Sequence, residues 1–289
     1  MARGKSTRQP SKSGKQAGVR GTKILALAAK KPDAGAKATA SKKSTKAKAT
    51  AISAPKPPFS ATKGYNPLAP KRVGEILARL NTLYPNVTCA LHHKSAWELV
   101  VATILSAQCT DVRVNMVTPG LFAKYPTPQA LAAIEPEELE PEIRSTGFFR
   151  NKAKSVVGAA RKLMQDFGGL VPDEMDKLLT LPGVARKTAN VVLGSWFGKG
   201  VGVVVDTHVH RISRRLEFTT NDEPVKIEQN LMTVIPQEKW ILFSHQIIWH
   251  GRSLCVARNP KCAECPLENI CHAGDKTWST VEMHEDAKL

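Results

Sequence analysis

From Pro70 onward the apolar residues return every three or four positions. Val73, Ile76, Leu77, Leu80 and Leu83 fall at i, i+3, i+4, i+7 and i+10, the stripe of an amphipathic helix. Ser95 followed by Glu98 is a capping-box signature opening a second helix. Its stripe takes in Leu99, Val100, Thr103, Ile104 and Leu105, and it is expected to end near Gln108. Asp111 stands where it would cap a third helix running through Phe122. Further helices are predicted around 128–134, 136–145, 151–166, 174–180, 185–197, 207–217, 224–234 and 238–249, with Pro and Gly punctuating nearly every gap. The best strand signal, Val201 to Val205, is too isolated to build a sheet. The predicted class is all-α, without internal repeats.

Upstream of Pro70 this patterning is absent and charge takes its place. Residues 1–70 hold 16 Lys and Arg against the single acid Asp33, a net of +15. Of the chain's +17, that leaves 26 basic and 24 acidic residues, a net of +2, for the remainder. The segment is rich in Lys, Ala, Ser and Pro and has almost no aromatics before Phe59. It cannot bury enough apolar surface to offset ordering entropy, so residues 1–69 are expected to be a disordered basic tail. A flexible polycation gains affinity for nucleic acid through counterion release without reading sequence. A solubilising extension or a transit peptide are the other readings, the latter disfavoured by the excess of Lys over Arg. The apolar run Ile24 to Ala29 is too short for a secretory signal, and no stretch reaches the length of a membrane span.

Four of the six cysteines lie within 17 residues: Cys255, Cys262, Cys265 and Cys271, spaced C-x6-C-x2-C-x5-C. Without a secretory signal, such clustering reads as metal binding rather than as a disulfide framework. Two centres fit four thiolates, a zinc ion and an iron–sulfur cluster. Zinc sites usually pair two C-x2-C knuckles, and only one is present. Cys89 and Cys109 read as core cysteines in a reducing cytoplasm.

A second constellation lies upstream. A short helix ends at Thr180, Leu181-Pro182-Gly183-Val184 makes a tight turn, and a new helix begins at Ala185. Gly183 can take φ > 0, and backbone N–H groups at a helix N-terminus form an anion site suited to a phosphate. A plain helical hairpin is the alternative. Lys187 projects from the face opposite Ala185, Ala189, Val192 and Trp196, as an ordinary solvated lysine also would. Asp206 stands at an N-cap position before Val209, Ile212 and Leu216. His208 and His210 are no metal pair, because H-x-H on a helix sends the rings to different faces.

Together LPGVARKTANVVL (181–193), VDTHVHR (205–211), LSAQCTD (105–111) and the cysteine spacing resemble bacterial endonuclease III, over about residues 71–275. The resemblance implies a two-lobe helix-hairpin-helix DNA glycosylase. One lobe would be a six-helix barrel over 89–200. The other would join 70–88 to 201–275 around a 4Fe–4S cluster, leaving 276–289 as a C-terminal tail. It implies a monomeric, cytoplasmic, nucleoid-associated bacterial enzyme that excises oxidised pyrimidines from duplex DNA and cleaves the abasic site. Lys187 would be the Schiff-base nucleophile and Asp206 the catalytic carboxylate. Gln108 would fill the gap left by the flipped nucleotide, with Phe148 wedging beside the orphaned base. Leu181, Gly183, Ala185 and Arg186 of the hairpin would contact DNA, as would Arg258 and Lys261 of the cysteine loop. Two positions depart from the family pattern: Thr146, where a larger apolar residue is expected, and Ala185, where the hairpin often has a second glycine. The competing readings are a monofunctional adenine or mismatch glycosylase, which usually lacks the lysine, and a non-catalytic DNA-binding iron–sulfur or zinc protein.

Overall fold

A computed structural model describes residues 65–277. The basic segment 1–64 and residues 278–289 lie outside the described residues. Among those described there is no strand. The helices are α1 (Pro70–Leu83), α2 (Ala96–Leu105), α3 (Asp111–Lys124), α4 (Pro128–Ala132), α5 (Pro136–Ile143), α6 (Phe149–Phe167), α7 (Met175–Leu178), α8 (Arg186–Ser195), α9 (Thr207–Arg215), α10 (Pro224–Val234) and α11 (Trp240–Ser253).

Two hydrophobic cores organise them. The first draws on residues from Leu91 to Leu193 and is filled by α2 through α8. The second takes Val203 to Leu267 and, from the other side of the sequence, Val73, Ile76, Leu77 and Leu80 of α1. Burying each such side chain is worth about 1.5–3 kcal/mol, so the stripe on α1 is enough to hold that helix against α11. Val201–Val205 is not a strand. It runs as an extended connector whose Val203 is fully buried and whose Val204 N–H donates to Ser244 Oγ at 3.1 Å.

Local chemistry moved several predicted boundaries. Ser95 does cap α2, its Oγ accepting from the Glu98 N–H at 3.1 Å, but the Glu98 carboxylate reaches the Lys94 N–H rather than that of Ser95. α2 stops at Leu105, three residues before Gln108, because the chain turns there and Gln108 takes a left-handed φ of 52°. Thr110, not Asp111, caps α3, accepting from the Arg113 N–H at 3.3 Å. Asp111 is thereby freed, and its carboxylate accepts from Arg252 of α11 at 2.6 Å.

The two ends of the described chain are not tail-like. Tyr65 donates to the Glu217 carboxylate and packs edge-on against His272, with ring centroids 4.8 Å apart. Arg72 donates to the carbonyls of Pro67, Leu216 and Ile270, so residues 65–69 are clasped to the second core. At the other end Lys276 donates to the Glu268 carbonyl at 2.9 Å, and Thr277 to that of Pro260.

Candidate active site

The hairpin is built as its sequence requires. Leu181 to Val184 forms a turn closed by a Val184 N–H to Leu181 carbonyl bond of 3.1 Å, with Gly183 at φ 78°. A Cβ on Gly183 would lie 2.7 Å from that of Ser155, so packing and backbone both demand glycine there. Ala185 caps α8 with an extended backbone, and its methyl is exposed. Leu181 is only 2% exposed and belongs to the first core, so its side chain faces inward. Arg186 bonds within the protein. Its Nε and Nη2 donate to the Glu228 carboxylate at 2.7 and 3.1 Å, while Asn190 donates to the same carboxylate at 2.8 Å. Glu228 is buried on α10, so Arg186 ties α8 to the second core.

Lys187 and Asp206 line one cavity. Its walls come from both cores: Thr103, Ser106 and Asp111 on one side, His245, Trp249 and Arg252 on the other. The Asp206 carboxylate is fixed at the start of α9, where Oδ1 accepts from the His208 and Val209 amides at 2.8 Å each. Lys187 is the second residue of α8 and is exposed into the cavity, with no hydrogen-bond or ion-pair partner among the described residues. Burial pushes His245 below the ordinary histidine range and raises the Cys89 thiol, so these two side chains are uncharged near pH 7, while Asp111 and Arg252 of the same wall form an ion pair. The arrangement places one unanchored amine and one rigid carboxylate in a common pocket.

Gln108 and Phe148 sit on separate turns, and both have left-handed backbones, at φ 52° and 48°. Both are exposed, Phe148 by 63%, a conformation and exposure that packing alone does not account for. Thr146 is buried, its hydroxyl donating to the Ile143 carbonyl at 2.8 Å. It closes the turn instead of projecting from it, leaving Phe148 as the exposed apolar side chain of that segment.

Cys255, Cys262, Cys265 and Cys271 line a second cavity, and none is in a disulfide. Among the described residues no three His, Cys, Asp or Glu side chains converge closely enough to hold a single ion. Four cysteine sulfurs around one cavity fit a cluster with four cysteinyl ligands. Burial pushes the Cys255, Cys265 and Cys271 thiols upward, Cys265 to about 12. Ligation requires thiolates, and Arg215 of α9 favours that form, with Nη1 donating to Cys255 Sγ at 3.2 Å. The same guanidinium donates to the Val256 carbonyl at 2.8 Å and pairs with Asp275 at 2.6 Å. Arg258 and Lys261 are exposed on this loop, Lys261 lying 3.9 Å from Glu264.

Residues 101–237 match the HhH-GPD superfamily of base excision DNA repair proteins, and residues 255–271 match the iron–sulfur binding domain of endonuclease III. Endonuclease III of Synechocystis sp. is 56% identical over 201 residues, covering 70% of this chain and 92% of that protein. The chain belongs to the endonuclease III family. The Bacillus subtilis endonuclease III is 44% identical over 207 residues, covering 71% of this chain and 94% of that one. Among solved structures, a trapped endonuclease III–DNA covalent intermediate superposes with a TM-score of 0.68 at 42% identity, covering 71% of this chain and 96% of that one. The cofactor is a 4Fe–4S cluster.

Within this endonuclease III fold the sequence reading missed most of the cavity wall. His245, Trp249 and Arg252 come from α11, whose apolar stripe announced only a core helix. Asp111, expected to cap α3, pairs with Arg252 in the cavity wall. Lys152 and Arg215 were not singled out either, because a buried cation has no local sequence signature. No helix among the described residues is long and apolar enough to cross a membrane.

Proposed function

We propose that this protein removes oxidised pyrimidines from duplex DNA and cleaves the resulting abasic site by β-elimination. The observation that carries the reading is the shared cavity of Lys187 and Asp206, directly after the hairpin. A base inside the stack is out of reach, so the damaged nucleotide must be flipped into this cavity. The Lys187 amine attacks C1′ as the base departs, and Asp206 assists its deprotonation and offsets positive charge developing on the sugar. Opening of the sugar gives a Schiff base on Lys187, an electron sink that lets the C2′ proton leave and the 3′-phosphate be expelled.

The hairpin amides of Gly183 and Ala185, which have no partner among the described residues, receive a DNA phosphate at the N-terminus of α8. Arg258 and Lys261 meet the backbone from the cysteine loop, while Gln108 and Phe148 enter the duplex where the nucleotide has left. Cys255, Cys262, Cys265 and Cys271 hold the 4Fe–4S cluster, which when bound supplies four iron–thiolate anchors that keep the loop in shape. The lobes divide as 89–200 against 70–88 with 201–275. The enzyme acts as a monomer in the bacterial cytoplasm, on the nucleoid. The basic segment before Tyr65 is an electrostatic arm that raises non-specific DNA affinity.

Borohydride reduction on abasic duplex tests the reading. The wild-type protein is expected to form a covalent adduct, and Lys187→Gln to bind the same DNA without forming one. A Lys187→Gln adduct at wild-type yield overturns the assignment.

A further inference from the structure

Lys152, four residues into α6, is a cation that the reaction described above does not use, and only 5% of it is exposed. Its Nζ donates to the Leu105 carbonyl at 2.8 Å and to the Thr146 carbonyl at 2.7 Å. Leu105 is the last residue of α2, three before Gln108, and Thr146 closes the turn two before Phe148. One buried ammonium therefore joins the two segments that carry the exposed, left-handed Gln108 and Phe148.

We propose that Lys152 is a positioning residue that couples Gln108 and Phe148, so that the two enter the duplex as one rigid unit. This rests on the insertion role given to those two residues above. The chemistry suits the task. The carbonyl at the C-terminus of α2 carries the negative end of the helix and would otherwise lack a partner. A lysine offers three donors on a flexible stem, enough to reach carbonyls from two directions at once. Burial lowers the lysine below its ordinary range. Thr146 fits the same device. Its side chain is turned into the protein, where its hydroxyl closes the turn, and its carbonyl is presented to the ammonium. The departure from a larger apolar residue thus shifts the wedge to Phe148 alone and leaves Gln108 and Phe148 as the pair to be aligned.

The test is a double-mutant cycle on the full-length protein with its cluster intact. It compares affinity for a duplex holding a stable abasic analogue with affinity for undamaged duplex. Gln108→Ala and Phe148→Ala are each expected to lower that ratio by about tenfold, the scale of a lost base contact. With Lys152 present, the double variant should lose clearly less than the product of the two, by about fivefold or more. In Lys152→Met, matched in length and apolar, the losses should multiply to within about twofold. Should the methionine variant fail to retain its cluster absorption, Lys152→Gln, with donors on a shorter stem, replaces it with the same expectation of reduced coupling. Coupling that persists unchanged without the lysine overturns the proposal, as does its absence when the lysine is present. Silence of both single variants instead overturns the insertion reading, and the brace falls with it.

Discussion

The two residues that share the cavity are held in opposite ways. Asp206 is locked at the start of α9, with two amides on one carboxylate oxygen at 2.8 Å. Lys187 is exposed on α8 and tied to nothing among the described residues, while its neighbours do the anchoring. Arg186 is clamped to buried Glu228, and Thr188 and Ala189 are packed inward. The contrast follows from what each group must do. A carboxylate that stabilises charge is effective only if it need not reorganise as the charge appears. An amine that attacks C1′ and then stays attached through ring opening and elimination must travel with its carbon. Rigidity on one side and freedom on the other are two halves of one requirement.

The largest effect that sharpens this contrast is on Asp206 itself. Asn keeps the cap-accepting oxygen but can neither take a proton nor carry charge. Asp206→Asn is therefore expected to slow single-turnover base release by about 10²–10⁴-fold, the range for an acid–base group, with the fold intact. Rates within threefold of wild type would break the comparison, because the carboxylate would then be a cap and nothing more.

The basic segment gives a smaller effect that leaves both residues alone. Cutting before Tyr65 preserves the clasp of Tyr65 and Arg72 on the second core. If the arm engages about five phosphates, its loss flattens the slope of log K against log salt by roughly four to five. Binding at low salt should weaken while single-turnover excision at saturating enzyme holds. Equal salt slopes for the two proteins would count against the arm. Lost chemistry would mean that the segment helps to set Lys187 or Asp206.

What could be read from the sequence was whatever is encoded locally. The stripe on α1, the Ser95 cap, Gly183 at positive φ and Asp206 at an N-cap each depend on residues a few positions apart. The cysteine spacing is local too. What could not be read depends on partners far along the chain. Arg186 of the hairpin is tied to Glu228, 42 residues on. The Leu181 side chain is taken up by a core assembled from residues 91 to 193. Asp111 and Arg252 meet across 141 residues, and Lys152 and Leu105 across 47. A cation's destination is a tertiary fact, since Lys and Arg read alike whether solvated, paired or buried.

The smallest expected effect separates the two roles of Asp206. As N-cap it satisfies two of the amides that α9 cannot bond internally, and removing such a cap costs about 1 kcal/mol (~0.5–2). Asn is as good a cap as Asp, whereas Ala offers no acceptor. Asp206→Ala should therefore lower the urea midpoint of the cluster-loaded protein with unchanged slope, and Asp206→Asn should leave it near wild type. Catalysis should not distinguish them, since both lack the charge. The effect should be felt at both ends of α9, because the helix that begins at Asp206 ends at Arg215, which donates to Cys255 and to the cysteine-loop carbonyls. Fraying of its first turn in Asp206→Ala is expected to speed loss of cluster absorption under chelator, and Asp206→Asn should resist as wild type does. Equal stability and equal cluster loss in the two variants would show that the amides at the head of α9 do not need the Asp206 oxygen, and that its fixed position comes from packing instead.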